Sequence, residues 1–330
     1  MTELTVCITV YNDAETLSRA MESILNQTYK DFKLLIYDDG SSDGSGDVAE
    51  SFGDSRITVV RCNENKGCLY ARAKLIEMLD TEYCMWCDAD DKFAHDKAFE
   101  TAMTLMKSDN YDWINFPKYF EVYPVDEIRL CPFVNEEQVI YSGDNFFNCF
   151  FESRTTNFLN SKVFKSELLK KCIPDEYFLR KKYALDDMFF MTLVYFHTKK
   201  HLQAGKAFPI YMYYMNVGYY CSKINDCSLE VTRNLCEAYH DCLKSSYLKM
   251  TKVRKLENTE AHRLSRGTFY GFIVPRMNMI RKKLSQDEFE KHMAVVHEYF
   301  CADGVHVLND LDALEFPLFV KMFNNALKGE

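Results

Sequence analysis

The chain has 330 residues, enough for one large domain or two ordinary ones, and 47% of them are hydrophobic, which allows a sizeable core. Lys and Arg number 40 against 49 Asp and Glu, and the net charge of −9 argues against general nucleic-acid binding. The 13 cysteines are odd in number and scattered, often inside apolar runs as at Cys7, Cys84 and Cys149, so they read as reduced thiols of a cytosolic protein rather than a disulfide framework. The N-terminus, M-T-E-L-T-V-C-I-T-V, lacks the basic segment and cleavage site of a signal peptide. The longest apolar run, near Met188 to Phe196, falls far short of the ~20 residues that span a bilayer. The expectation is a cytoplasmic protein, soluble or peripheral on the inner membrane face.

Leu4 to Val10 reads as a strand, and Tyr11-Asn12-Asp13 after it as a turn and helix N-cap. Leu17, Ala20, Met21, Ile24 and Leu25 follow at helical spacing. Phe32 to Tyr37 predicts a second strand ending in Asp38-Asp39-Gly40-Ser41-Ser42. A short helix near Asp47 to Phe52, a strand from Arg56 to Arg61 and a helix from Lys66 to Leu79 come next. The run Tyr83 to Cys87 predicts a buried strand that stops at Asp88, Asp90 and Asp91. This alternation implies right-handed crossovers and a mainly parallel sheet. Neither Gly-x-Gly-x-x-Gly nor Gly-x-x-x-x-Gly-Lys-Ser/Thr follows the first strand, which weighs against a dinucleotide dehydrogenase and a P-loop enzyme.

Three carboxylates so close together repel one another, and burying any of them unpaired is costly. Mg²⁺ or Mn²⁺ would offset that cost, since such ions take one or two carboxylates and complete their shell with water and phosphate oxygens. The strand end is also where open α/β sheets bind ligands. Taken alone, the cluster reads equally as an acidic, solvated turn.

Four blocks, V-C-I-T-V-Y-N-D-A-E-T-L, S-I-L-N-Q-T-Y-K-D-F-K-L-L-I-Y-D-D-G-S-S-D-G-S, N-K-G-C-L-Y-A-R and D-A-D-D, together resemble the family 2 glycosyltransferases with a GT-A fold, collinearly over residues 4–93. L-N-S-K-V-F-K-S-E-L-L (159–169), L-D-D-M-F-F (185–190) and F-P-I-Y-M-Y-Y (208–214) are similar to later segments of that family, so the resemblance covers about residues 4–220. It implies a GT-A-type, Rossmann-like, mainly parallel α/β sheet flanked by helices over 1–220, with a nucleotide-sugar half at about 1–115 and an acceptor half at about 116–220. Residues 221–330 form a helical C-terminal extension in this reading.

The resemblance also assigns residues. Thr9 and Tyr11 would meet the nucleotide base, Asp39 would accept a hydrogen bond from it, and Arg72 would lie near the nucleotide or its diphosphate. Asp88 and Asp90 form the Asp-x-Asp pair, one contacting the ribose and another the metal, with Asp90 and Asp91 the preferred metal ligands. Asp187 would be the base that deprotonates the acceptor hydroxyl, with Asp186 where the family usually has Glu. Without the resemblance, those two acids read as helix N-terminal residues favoured by the dipole. The family's Tyr-Arg near residue 215 is Tyr214-Met215 here, leaving Lys223 or the tail to face the diphosphate.

Cys84-x-x-Cys87 has metal-site spacing, but a strand sends side chains three apart to opposite faces. The strands at Tyr111–Phe116 and Lys118–Tyr123 are expected to extend the sheet, and the aromatic run Tyr141 to Phe151 to join the core. From Ser228 the pattern is helical, with Val231, Leu235, Ala238, Tyr239, Cys242, Leu243 and Tyr247 on one face. Lys244 to Lys291 holds 12 Lys/Arg and 5 Asp/Glu, a local +7 that suits an anionic membrane surface or a solvated face. A final helical segment is read at Leu308 to Leu327. The expectation is a Mn²⁺- or Mg²⁺-dependent inverting enzyme of surface polysaccharide or lipooligosaccharide synthesis. Its partners would be a nucleotide-sugar donor, most simply a UDP-sugar, a glycan or lipid-linked acceptor, and a membrane surface touched through the basic C-terminal region. The rivals are a nucleotidyltransferase and a catalytically silent nucleotide-binding scaffold.

Overall fold

Six of the seven residues of β1 (Leu4–Val10) are buried, the unbroken apolar run expected of a strand covered on both faces. The computed structural model describes residues 2–122, 127–131, 135–142, 158–181, 186–215, 227–252, 277 and 280–300. α1 (Ala14–Leu25) buries Leu17, Ala20, Met21 and Ile24, the stripe read from its sequence. Asp13 stands at its N-cap position, as the sequence suggested. The Asp13 side chain makes no capping bond to the helix; its Oδ2 accepts from Tyr11 N–H at 3.1 Å. Ala14 N–H instead donates to Asp43 Oδ2 at 2.9 Å. A carboxylate from a distant turn satisfies the first helical N–H and leaves Asp13 to brace the loop before it.

β2 (Phe32–Asp38), α2 (Ser45–Ser51), β3 (Ile57–Arg61), α3 (Cys68–Glu77) and β4 (Tyr83–Trp86) complete the first half. β2 and β4 flank β1 in parallel, and β3 pairs with β2 in parallel. Between β2 and α2 the chain turns at Gly40, whose φ of +78° and close approach to Glu64 exclude a side chain; an added Cβ would stand 2.6 Å from the Glu64 carbonyl carbon.

β5 (Lys92–Phe93), α4 (Ala98–Ser108), β6 (Trp113–Asn115), β7 (Lys118–Val122), β8 (Glu127–Leu130) and β9 (Val139–Ser142) follow. Then come β10 (Lys162–Lys165), α5 (Ser166–Lys170), α6 (Glu176–Leu179), α7 (Asp186–His197), β11 (Lys200–Gln203) and β12 (Tyr211–Met215). The larger sheet has the order β3-β2-β1-β4-β10-β6-β11-β9. Its β3-β2, β2-β1, β1-β4 and β6-β11 ladders are parallel, while β10 and β9 run antiparallel to their neighbours. This is the helix-flanked, mainly parallel sheet that the pattern implied.

The segment after Phe116 departs from expectation. β6 joins the large sheet, but β7 enters a second sheet of order β5-β12-β7-β8. Pro117 stands between the two strands, and it lacks the N–H that a continuing ladder needs. The second sheet matters for position. β4 ends in the large sheet and β5 begins in the small one, so residues 87–91 are the passage between them.

The chain divides into two units, Met1–Lys182 with Asp186–Ser222, and Tyr183–Leu185 with Lys223–Glu330. In the second, α8 (Leu229–Lys252) and α9 (Gln286–Phe300) pack together. Leu235, Cys236 and Ala238 are buried, Thr232 Oγ1 and His292 Nδ1 lie 2.7 Å apart, and Arg233 pairs with Glu298 at 2.9 Å. No helix among the described residues is long and apolar enough to cross a membrane. The basic stretch at 253–276, most of the aromatic run at 141–151 and the segment at 308–327 lie outside the described residues.

Candidate active site

The carboxyl ends of β1, β2 and β4 lie side by side in the large sheet, and the residues that follow them build the site. After β1, Thr9 Oγ1 lies 3.3 Å from Cys68 Sγ, and burial pushes the Cys68 thiol well up. The loop carrying Tyr11 is tied to the Ser41–Ser45 turn: Asn12 N–H donates to Ser41 Oγ at 3.0 Å, and Ser42 N–H to Asn12 Oδ1 at 2.9 Å. Asn12 sits at φ 58°, a left-handed conformation that asparagine adopts more readily than most residues.

After β2, the two acids divide the work. Asp38 Oδ1 accepts from Ser41 N–H at 2.9 Å and so holds the turn. Asp39 is 3% exposed and accepts from Lys66 N–H at 2.9 Å and Gly67 N–H at 2.7 Å. It pins the loop that opens α3.

After β4, the chain is held from three sides. Asp88 N–H donates to the Tyr211 hydroxyl at 3.0 Å, and Asp88 Oδ2 accepts from Asn160 Nδ2 at 2.6 Å. Arg19 of α1 donates to the Asp90 carbonyl and stacks 3.8 Å over the Tyr214 ring. Asp91 has no exposed surface; its Oδ1 accepts from Tyr214 N–H at 2.9 Å, and its Oδ2 is buried without a hydrogen-bond partner among the described residues. Burial and the charges of Asp90 and Asp88 push the Asp91 carboxyl well above the usual range.

Arg72 joins this turn to α7. Its side chain is buried, with Nη1 2.7 Å from Asp186 Oδ2 in an ion pair, Nη1 hydrogen-bonded to Asp187 Oδ1, and Nη2 3.7 Å from Asp88 Oδ1. Asp186 and Asp187 lie in the first turn of α7. The structure thus brings Arg72, Asp88, Asp186 and Asp187 together, with Thr9 reached through Cys68. The same two acids occupy the helix N-terminal position of the bland reading. Lys223 lies outside the described residues; Arg19 and Lys92, whose Nζ is 5.7 Å from the Tyr214 ring, are basic groups beside this strand that sequence reasoning missed. Asp13 was read as a cap only. Cys84 approaches Cys7 and Cys87 approaches Tyr211, two separate sets of neighbours.

Among the described residues, no three Asp, Glu, His or Cys side chains form a ready-made cation cage. The donor set still suits a hard cation that shares its shell with phosphate. Burial and the charges of Asp88 and Asp13 raise Asp90 to about 7, and burial, with Asp43 and Asp88, raises Asp13 to about 6. That is uncompensated negative charge, the condition a divalent ion relieves. These raised values have a stability consequence of fixed sign. Between about pH 4 and 7 the folded protein keeps protons that unfolded carboxylates have lost, so these groups destabilise the metal-free fold increasingly as pH rises. In EDTA, the thermal midpoint of Asp13→Asn/Asp90→Asn relative to wild type should rise by a few degrees (about 2–4 °C per kcal/mol) between pH 5 and 7.5. Taking the difference removes His201, whose burial acts in the opposite direction below about 6.5. A flat difference curve would show that the cluster carries no such strain.

The model for "Glycosyl transferase family 2" matches residues 5–169. The chain belongs to this family. It is 36% identical over 120 residues to a teichoic acid poly(glycerol phosphate) polymerase of Staphylococcus epidermidis, covering 36% of this chain and 16% of the polymerase. It is 32% identical over 136 residues to a cholesterol galactosyltransferase of Borreliella burgdorferi, covering 40% of this chain and 38% of that enzyme. Both matches therefore span well under two thirds of the relatives. Among solved structures, S. aureus TarS 1–349 in complex with UDP-GlcNAc superposes with a TM-score of 0.73 at 14% identity, over 99% of this chain and 89% of that one. The shared fold is of GT-A type.

Proposed function

We propose that this family 2 chain is a metal-dependent, inverting glycosyltransferase that moves a sugar from a UDP-sugar to a hydroxyl of a glycan or glycolipid in surface polysaccharide synthesis. The observation that carries the reading is Arg72, which gathers Asp88 of the donor turn and Asp186 and Asp187 of α7 around one guanidinium. A transferase needs such convergence, because the leaving diphosphate and the acceptor hydroxyl with its base must meet at the same anomeric carbon. The relatives' names supply the direction: a teichoic acid poly(glycerol phosphate) polymerase, a cholesterol galactosyltransferase, and TarS with UDP-GlcNAc.

In this mechanism Thr9, Tyr11 and Asp39 receive the nucleobase, and Asp88 and Asp90 face the ribose and diphosphate. Asp90 and Asp91 would hold a Mn²⁺ or Mg²⁺ ion, the Asp91 Oδ2 being without a hydrogen-bond partner among the described residues. Such an ion, when bound, neutralises charge on the departing diphosphate. Asp187 takes the proton of the acceptor hydroxyl as its oxygen bonds the anomeric carbon from the face opposite the leaving group. The bond to the diphosphate breaks in the same displacement, so configuration inverts. The basic C-terminal stretch is suited to hold the chain near a lipid-linked acceptor on the inner membrane face.

The test is nucleoside diphosphate release from a panel of UDP- and GDP-sugars with Mn²⁺ or EDTA. Release from one UDP-sugar is expected, abolished by EDTA and reduced at least about 100-fold in Asp90→Ala, the scale of a lost charge-stabilising group. Pyrophosphate as the product would establish a nucleotidyltransferase instead. Nucleotide binding without any release would point to a silent scaffold or to an enzyme that needs its acceptor before the donor is cleaved.

A further inference from the structure

Beside the Asp88–Asp91 turn lies a buried lysine. Lys118 opens β7 and is 2% exposed. Its Nζ donates to Asn160 Oδ1 at 3.0 Å, and Asn160, itself 1% exposed, donates through Nδ2 to Asp88 Oδ2 at 2.6 Å. The direction of this chain is set by its ends. An ammonium has only protons to give and a carboxylate only lone pairs, so the amide between them has one satisfying orientation. Aromatic rings close the other sides of the ammonium: Phe158 at 4.2 Å, Tyr213 at 5.0 Å and Phe120 at 5.8 Å from Nζ to the ring centre. A second buried lysine, Lys162, donates to the Phe158 carbonyl at 2.5 Å and holds that ring's backbone in place.

Burial disfavours the Lys118 charge, while the Asp91 and Asp88 carboxylates favour it. Its hydrogen bond to Asn160 gives it a further role. Asn160 fixes Oδ2 of Asp88 and leaves Oδ1, 3.7 Å from Arg72 Nη2, as the oxygen turned toward the rest of the site. We infer that Lys118 and Asn160 form a positioning relay that orients Asp88 for the donor nucleotide. The inference rests on the reading of Asp88 as a donor-site carboxylate.

The experiment is a double-mutant cycle read by calorimetry of UDP binding in Mn²⁺, on wild type, Lys118→Met, Asn160→Ala and the double variant. Each single change is expected to weaken UDP about tenfold, the scale seen when an outer partner of a ligating group is removed. The double variant is expected to bind no more weakly than Asn160→Ala alone, because Lys118 acts only through Asn160. Lys118→Gln, which keeps an N–H donor for Asn160 Oδ1 without the charge, is expected to retain most of the wild-type UDP affinity, and a loss as large as that of Asn160→Ala would overturn the hydrogen-bonded relay. Effects that add in the double variant, or wild-type UDP affinity in every variant, would overturn the relay. A wild-type protein that binds no UDP would overturn the donor-site reading beneath it, and the relay with it.

Discussion

Arg72→Lys is expected to yield a folded protein whose transfer rate is lower by about 100-fold, the cost of misplacing reacting groups by an ångström. Lysine keeps the charge but loses the fork. The guanidinium meets Asp186 and Asp187 through Nη1 while Nη2 approaches Asp88, and a single ammonium cannot hold three carboxylates at those separations. Arg72→Met goes further. Asp186 is 7% exposed, and removing its partner strands a buried charge, which costs about 3–5 kcal/mol. The methionine variant should therefore lose both stability and activity, and the lysine variant mainly activity. Comparing thermal midpoints with initial rates for the two separates the roles. A folded Arg72→Lys with wild-type rates would reduce Arg72 to a countercharge and take away the observation on which the functional reading stands.

How far these features were legible depends on how local their causes are. β1, α1 and β4 follow from runs and stripes within ten or so residues, and the structure reproduces them closely. The fate of β7 was not legible, because alternation says that a segment is a strand and not which sheet it joins. The N-cap position at Asp13 was legible, but not that Asp43 answers Ala14 N–H from another turn. In the site, residue types were legible and pairings were not. Arg72 was placed near the nucleotide or its diphosphate, and its hydrogen bond to Asp187, across 115 positions, left no mark in the sequence. Lys118 gave no signal at all, since a lysine at the start of a strand reads as a solvated end. Asn160 stood inside a recognisable segment without a role, and only the fold sets it between Lys118 and Asp88.

Asp187→Asn should lower turnover by about 10²–10⁴-fold, the usual contribution of a positioned general base, while UDP affinity stays within about twofold of wild type. The choice between the two adjacent acids follows from exposure. The Asp187 side chain is 21% exposed and that of Asp186 is 11%, so Asp187 is the one a solvent-borne hydroxyl can reach. Both pair with Arg72, and Asn at either position keeps a carbonyl oxygen that can accept from the guanidinium. Geometry is then largely preserved while the proton acceptor is lost. Asp186→Asn is expected to cost about tenfold at most, as a positioning loss. The decisive readings are turnover at saturating donor and acceptor, and its pH profile. Wild type should lose rate toward acid as its base is protonated, and the residual activity of Asp187→Asn should not follow that limb. If Asp186→Asn shows the larger loss and the altered limb, the base is Asp186, and Asp187 serves to seat Arg72. If neither changes the limb, the proton leaves by another route, and α7 contributes only the anions that fix Arg72 beside the donor turn.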